Sequence, residues 1–281
     1  FVELGPGDGS LTKVIISTLK KFPELNKAIK IFLYEKSLFL KKLQKQNIDN
    51  KRIKWIKNFN SIKKGPVIFF GNEFFDAIPI KQFSNINNEL FEKYYSVKNK
   101  INIIEKFIKS DEKDMTQIKK FETLKKLKFI EFPKKGFLEL NPIIKKINKL
   151  SGGILLIDYG YLNENNSNTI QAVMDNKKIS TETMLKNLGK ADITSLVNFN
   201  LLKEYFLKNK LKVKKIVTQR FFLERMGIIE RAQILQKKKT NKEQIYMKET
   251  LSRLLEEKQM GSLFKVIFGY KNKNNNFFGF E

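Results

Sequence analysis

Apolar residues in this chain come in short runs separated by helix-length stretches of mixed character. Phe1 to Leu4 reads as a buried strand, Ser10 or Leu11 to about Lys21 as a helix, Ile29 to Tyr34 as a second strand and Leu38 to Gln46 as a second helix. Arg52 to Lys57 is a third short strand carrying the only tryptophan, Trp55. Val67 to Phe70 is a fourth, uninterrupted and apolar as a strand covered on both faces is. Strands alternating with helices in this rhythm predict the α/β class, with a doubly wound, mostly parallel sheet. Further on, Phe129 to Phe132 and Phe137 to Leu140 read as short strands, and Asn141-Pro142 opens a helix to about Leu150. Ile154 to Ile157 is a fifth core strand ending at Asp158; a helix over 200–209 follows. Lys212 to Gln219 and Lys265 to Tyr270 alternate as the last strands, with a Glu243 to Lys258 helix between them.

Residues 84–136 break the rhythm and read as an insertion, a hairpin-and-helix arm. Glu89 to Val97 and Ile101 to Phe107 pair as a hairpin across Lys98-Asn99-Lys100, and Lys109 to Lys128 is charged and helical or mobile. Such arms are usual places for partner docking or substrate selection. The expected organisation is one domain over 1–270 carrying this insertion, with an Asn/Lys-rich frayed tail over 271–281. The chain begins inside a strand, without an initiator methionine, signal peptide or arginine-rich presequence, so the expectation is a missing upstream portion and a cytoplasmic protein.

The densest chemical signal is the turn after the first strand, Gly5-Pro6-Gly7-Asp8-Gly9-Ser10. Alternating glycines let the backbone bend sharply and leave no Cβ in the way of a ligand lying across it. Ser10 is a candidate N-cap, and the amides of the helix start would face whatever sits there. The spacing is G-x-G-x-G, neither the dinucleotide fingerprint nor a phosphate loop with its lysine. Glu3, inside the strand, would repel a pyrophosphate but attract a ligand carrying sulfonium and ammonium groups. A plain tight turn is the alternative. Glu35 ends the second strand, where the hydroxyls of an adenosine ribose are presented; it also reads as a surface glutamate opening the next helix. After the fourth strand come Asn72, Glu73 and Asp76, set among phenylalanines and a proline. Polar groups placed there need partners. They either face the ligand lying on the glycine turn and an incoming nucleophile or cap a helix start. Asp158, at another strand end, reaches the same crevice or is buried and bonded to a loop. Ala191-Asp192-Ile193-Thr194 is a helix-cap prelude or a substrate-side contact, and Asn163 to Asn168 is a polar turn.

Composition narrows the chemistry. Cysteine and histidine are both absent, which removes disulfides, thiolate metal sites and the usual general base, so no metal is expected. No apolar run is long enough to span a membrane. The formal charge of +26 invites a nucleic-acid reading, but the few arginines and the scatter of lysine among asparagine and isoleucine read instead as a solvated surface.

The strings Val2-Glu3-Leu4-Gly5-Pro6-Gly7 and Asn72-Glu73-Phe74-Phe75-Asp76-Ala77-Ile78-Pro79 resemble the MidA family. So do Gly152-Gly153 before Leu155-Leu156-Ile157-Asp158-Tyr159-Gly160, Ala191-Asp192-Ile193-Thr194 with Asn198-Phe199, and Phe222-Leu223 with Met226-Gly227-Ile228. The resemblance implies a Rossmann-like class I methyltransferase fold with S-adenosyl-L-methionine (SAM) as cofactor. Glu3, Gly5, Gly7, Gly9, Glu35 and Asn58 would hold it, and Asn72, Glu73, Asp76 and Asp158 would serve the reaction. The chain departs from the family at Asp8, where an arginine is usual; at Asn58, in place of an acid for the adenine amino group; and over Gln171 to Lys178, which lacks a histidine. The family also has an N-terminal portion ahead of the glycine turn. Its mitochondrial member methylates arginine on a respiratory complex I subunit during assembly, which implies a protein substrate here. An RNA methyltransferase and a non-catalytic assembly factor or gene fragment are the alternative readings. Methyl transfer is an in-line displacement that asks for alignment and water exclusion more than proton chemistry, in keeping with a chain that has no histidine.

Overall fold

The computed structural model describes the chain except for residues 51, 99–101, 176, 238 and 274–275. In chain order, β1 (Val2–Leu4), α1 (Ser10–Leu19), α2 (Pro23–Ala28), β2 (Ile31–Tyr34), α3 (Leu38–Asn47), β3 (Ile53–Ile56) and β4 (Val67–Asn72) alternate as the hydrophobic pattern requires. Next come β5 (Lys81–Ile86), β6 (Glu89–Lys98), β7 (Asn102–Lys109), α4 (Glu112–Ile118), β8 (Phe129–Phe132), α5 (Lys134–Leu150) and β9 (Gly152–Tyr161). Then β10 (Gln171–Met174), β11 (Lys177–Ile179), α6 (Thr181–Lys186), β12 (Asp192–Thr194), β13 (Val197–Asn198) and α7 (Phe199–Lys208). The chain closes with β14 (Lys212–Val213), β15 (Val217–Thr218), α8 (Gln219–Arg225), α9 (Ile228–Gln236), α10 (Asn241–Leu255) and β16 (Phe264–Lys271). It divides into two compact units, one of residues 1–74, 141–158 and 209–281, the other of 75–140 and 159–208.

The first unit is the doubly wound sheet, in the order β14-β16-β9-β4-β1-β2-β3, with β15 also on β16. Strands β3, β2, β1, β4 and β9 are parallel neighbours. Every residue of β1 and β2 is buried, because helices cover such strands on both faces. Leu19, Ile31, Leu33, Ile48 and Ile53 form one core cluster, with Ile15, Ile16 and Trp55 packed on it. Burial of each such aliphatic side chain is worth about 1.5–3 kcal/mol relative to exposure. β4 differs from expectation: Ile68 is 39% exposed, so only one face is fully covered.

The second unit holds a four-stranded antiparallel sheet, β7-β6-β5-β8, and a small one, β11-β10-β12. It contains all of 84–136 but starts earlier and takes a second chain segment. The hairpin expected there is β6 with β7; its turn falls outside the described residues. Between Lys109 and Lys128 the chain forms α4 and a 3-10 turn, Glu122–Leu124. Phe121, Phe132, Phe137 and Tyr205 form an aromatic cluster, with Phe137 and Tyr205 stacked at 3.9 Å. Burial pushes the Tyr205 hydroxyl up to about 12 while it donates to the Phe137 carbonyl at 2.9 Å.

Four expectations are corrected. Phe137 to Leu140 is helical, and Pro142 lies inside α5 rather than opening it. Buried Phe137, Leu140, Ile143, Ile144 and Ile147 recur with helical spacing through the proline. β9 does not stop at Asp158, because Gly160 and Tyr161 pair with Val197 and Asn198 of β13. Asp192–Thr194 is a strand on β10, and the residue that caps α7 is Asn198, whose Oδ1 accepts from the Leu201 amide at 3.0 Å. The tail is not frayed at its described end: Phe277 packs edge-on against Phe268 and Tyr270, and Phe280 against Phe222.

Asp114, fully buried, anchors the second unit. It accepts from Lys81 at 2.6 Å and from Lys134, and Lys81 also reaches Glu92 at 2.9 Å. Burial alone would raise its carboxyl, but the Lys134 and Lys81 hydrogen bonds outweigh burial and hold it below the usual carboxylate range. The stabilisation is therefore present above that range and is lost as pH falls through the lowered value. Asp114→Asn is expected to destabilise by about 2 kcal/mol near neutrality, since it strands two partly exposed lysines. The gap from wild type should close as pH is lowered, as urea titrations at a series of pH values would measure.

Candidate functional site

The site is assembled by strand register. Leu4 is level with Tyr34 and Gly71, Tyr34 with Ile56, and Asn72 with Ile157. The residues that follow, Gly5, Glu35, Asn72 and Glu73, together with Asn58 and Asp158, therefore lie along one carboxyl edge of the first unit, on strands about 4.8 Å apart.

On that edge the glycine turn has left-handed backbone at Gly5, Gly7 and Gly9. A Cβ at Gly7 would meet nothing within 4 Å, whereas one at Gly9 would strike Ile48 Cδ1 at 2.6 Å. Gly9 is thus closely packed, while the space beside exposed Gly7 is open. The helix cap differs from expectation: Gly9 is the cap position and Ser10 the first helical residue. Asp8 takes the capping role, accepting from the Ser10 amide at 2.9 Å and hydroxyl at 2.7 Å, and these bonds hold its carboxyl below the usual range.

Glu35 is half-buried. Its Oε1 accepts from the Ser37 amide at 2.7 Å and its Oε2 from Gln44 Nε2 at 3.1 Å, which orients the carboxylate and leaves further lone pairs. Gln44 is a residue of this edge that the sequence pattern did not single out. Wholly buried on α3, it also donates to the Gly7 carbonyl at 2.8 Å and accepts from Trp55 Nε1 at 3.0 Å. One amide thereby ties the turn, Glu35 and β3 together. The signal was present: a glutamine four residues after Leu40, on the helix face turned to the sheet, needs a partner.

Glu3 lies beneath the turn, 4% exposed, its Oε2 accepting from the Thr12 hydroxyl. Burial raises its carboxyl, and the Thr12 bond opposes that rise. Asn58 is exposed and accepts from the Asn60 amide at 3.0 Å. Glu73 is exposed and has φ of 50°, a left-handed conformation that costs an L-residue about 1–2 kcal/mol. Its amide donates to the Ile157 carbonyl at 3.0 Å, and its Oε1 accepts from Asn72 Nδ2 at 3.2 Å. Non-glycine residues held this way concentrate at functional sites. Asp158 is 1% exposed. Asp76 belongs to the second unit; it is 4% exposed and its carbonyl accepts from the Ser195 amide at 3.1 Å.

Residues 1–217 match the family model described as "Putative S-adenosyl-L-methionine-dependent methyltransferase". The chain belongs to the MidA family of these proteins. Similar MidA-family relatives include the mitochondrial protein arginine methyltransferase NDUFAF7 homologue of Caenorhabditis elegans, 29% identical over 95% of this chain and 66% of the relative. The NDUFAF7 proteins of Xenopus laevis and Homo sapiens are 24% identical each, over 94% and 84% of this chain and 65% and 57% of theirs. The chain therefore spans less than two thirds of the length of these curated relatives. Two crystal structures from Burkholderia thailandensis share the fold, with TM-scores of 0.82 and 0.80 at 17% identity. They cover 99% of this chain and 75% and 73% of their own, and the second was solved bound to S-adenosyl-homocysteine. The class I methyltransferase fold expected from the MidA resemblance is thus the fold observed.

Gln44→Leu keeps the side-chain bulk but strands the Gly7 carbonyl and the Trp55 indole. It is expected to cost about 2 kcal/mol of stability. Trp55 is the only tryptophan, so its fluorescence reports both the altered contact and the unfolding midpoint.

Proposed function

We propose that this chain is a SAM-dependent methyltransferase whose acceptor is an arginine side chain of a protein, a respiratory complex I subunit being the proposed target. The observation that carries the proposal is the shared edge of the opening at Gly7, the oriented Glu35 carboxylate and the left-handed Glu73. The residues present fit the cofactor. Gly7 leaves space for a ligand across the turn, and Glu35 retains acceptor capacity for two ribose hydroxyls. Glu3, Gly5, Gly9 and Asn58 complete the proposed cofactor side. When bound, SAM supplies a methyl group activated by its sulfonium.

The chain's own work is then alignment. Glu73 would hold an incoming guanidinium by charge-assisted hydrogen bonds, drawing positive charge onto the nitrogens that do not react and aiming the remaining one at the methyl carbon. Asn72 steadies that carboxylate through its 3.2 Å contact. Glu73 would keep the reacting nitrogen in line with the donor, and the proton that nitrogen gives up on methylation would pass to solvent. Asp158 and Asp76 are proposed as further carboxylates of the reaction, each to be tested by substitution with asparagine.

Two substitutions separate the parts of this reading. Gly7→Asn puts a side chain into the opening while tolerating positive φ, and should weaken SAM and S-adenosyl-homocysteine binding at least tenfold in calorimetry. Glu73→Gln should leave SAM affinity within about threefold and lower methyl transfer to protein arginine by a hundredfold or more, about 3 kcal/mol. Label from SAM appearing in RNA rather than protein, or loss of SAM binding in Glu73→Gln, would overturn the assignment.

A further inference from the structure

The edge of the first unit opposite the glycine turn carries a charge pattern that the methyltransferase reading does not use. None of the chain's 29 acidic residues falls within 50–72, 141–157, 209–223 or 264–280. These segments supply the amino-terminal ends of β4, β9 and β14 and the carboxyl end of β16. The structure brings those ends together. The Val67 amide donates to the Ser151 carbonyl at 3.1 Å, and Gly65 abuts the Leu150 carbonyl. Lys146 Nζ donates to the Ile62 carbonyl at 3.0 Å, Lys271 Nζ to the Asn148 carbonyl at 3.3 Å, and Asn148 Nδ2 to the Asn209 carbonyl at 3.0 Å. Lys63, Lys64, Lys149, Lys271 and Lys273 are exposed along this edge. Among the described residues none of these five forms an ion pair within 4.0 Å. Burial, then repulsion from Lys149 and Lys63, lowers the Lys146 ammonium from its ordinary value, as expected where positive potential accumulates.

We propose that this lysine edge is a docking surface for an anionic phospholipid bilayer, on which the protein sits peripherally. Three observations favour lipid over nucleic acid. The charged groups are lysines, compact hydrated charges suited to diffuse attraction, and no arginine fork is among them. They stand along a strip of strand ends rather than in a groove. Phe278, five residues past Lys273, is 86% exposed, and its neighbour Phe277 packs on the Tyr270 ring beside Lys271, so an apolar anchor lies near the charges. A bilayer met this way leaves the carboxyl edge, about 20 Å along β4, turned toward solvent.

The test is co-sedimentation of the full chain with vesicles of phosphatidylcholine alone or of equal parts phosphatidylcholine and phosphatidylglycerol. Binding is expected only to the anionic vesicles, and to vanish at about 1 M salt. Replacing Lys63, Lys64, Lys149 and Lys271 together by glutamine should lower it about a hundredfold. Replacing Lys42, Lys113, Lys120 and Lys126, four exposed lysines elsewhere, should lower it less than about threefold. Equal losses in the two variants would mean attraction by net charge alone and would overturn the proposal. So would no binding by the wild type, or displacement from the vesicles by single-stranded RNA.

Discussion

Parallel pairing in register is the constraint from which the rest of this structure follows. Once Val2, Glu3 and Leu4 lie level with Phe32, Leu33 and Tyr34 on one side and Phe69, Phe70 and Gly71 on the other, the residues after each strand have no freedom to scatter. The turn and the acids that follow β2 and β4 meet on one rim because the backbone ladders put them there. Gln44 then converts proximity into geometry, since its amide is bonded on one side to the turn and Glu35 and on the other to Trp55. A buried amide with these partners resists rearrangement, because any displacement leaves polar groups without bonds in an apolar surrounding.

The two rims of the same sheet differ in charge. Glu3, Glu35, Glu73 and Asp158 stand at or near the carboxyl rim, and lysines crowd the amino rim around β4, β9, β16 and β14. Within the larger unit of this +26 chain, the amino rim carries lysines without acids beside them in sequence, whereas the carboxyl rim carries its acids together with Lys36 and Lys57. Net charge alone conceals this, because it averages over two ends facing different surroundings.

How much was legible followed the physics of each segment. β2 and the glycine turn were readable because buried parallel strands are continuous apolar runs and because only glycine suits the turn's backbone; β4 was readable from the same kind of run, though Ile68 leaves one face partly open. Phe137 to Leu140 misled because four residues cannot separate a period of 2 from one of 3.6, and Asn141-Pro142 imitates a helix start. The β10–β11–β12 sheet was missed because its strands are only three or four residues long, too short to show a period. The extent of β9 was hidden because it depends on β13, distant in sequence. Of the edge residues, Glu35 and Glu73 could be placed from strand ends alone. Gln44 required knowing which face of α3 meets the sheet, and the left-handed backbone of Glu73 required coordinates.

That backbone has an evolutionary consequence. Glycine or asparagine would relax position 73 and hold the chain in its turn with less strain, so selection for folding alone would drift toward them. The glutamate in this chain stands against the preference of its own main chain. On the proposed role of Glu73, relatives that have abandoned chemistry while keeping the fold should be recognisable by a small residue at this point.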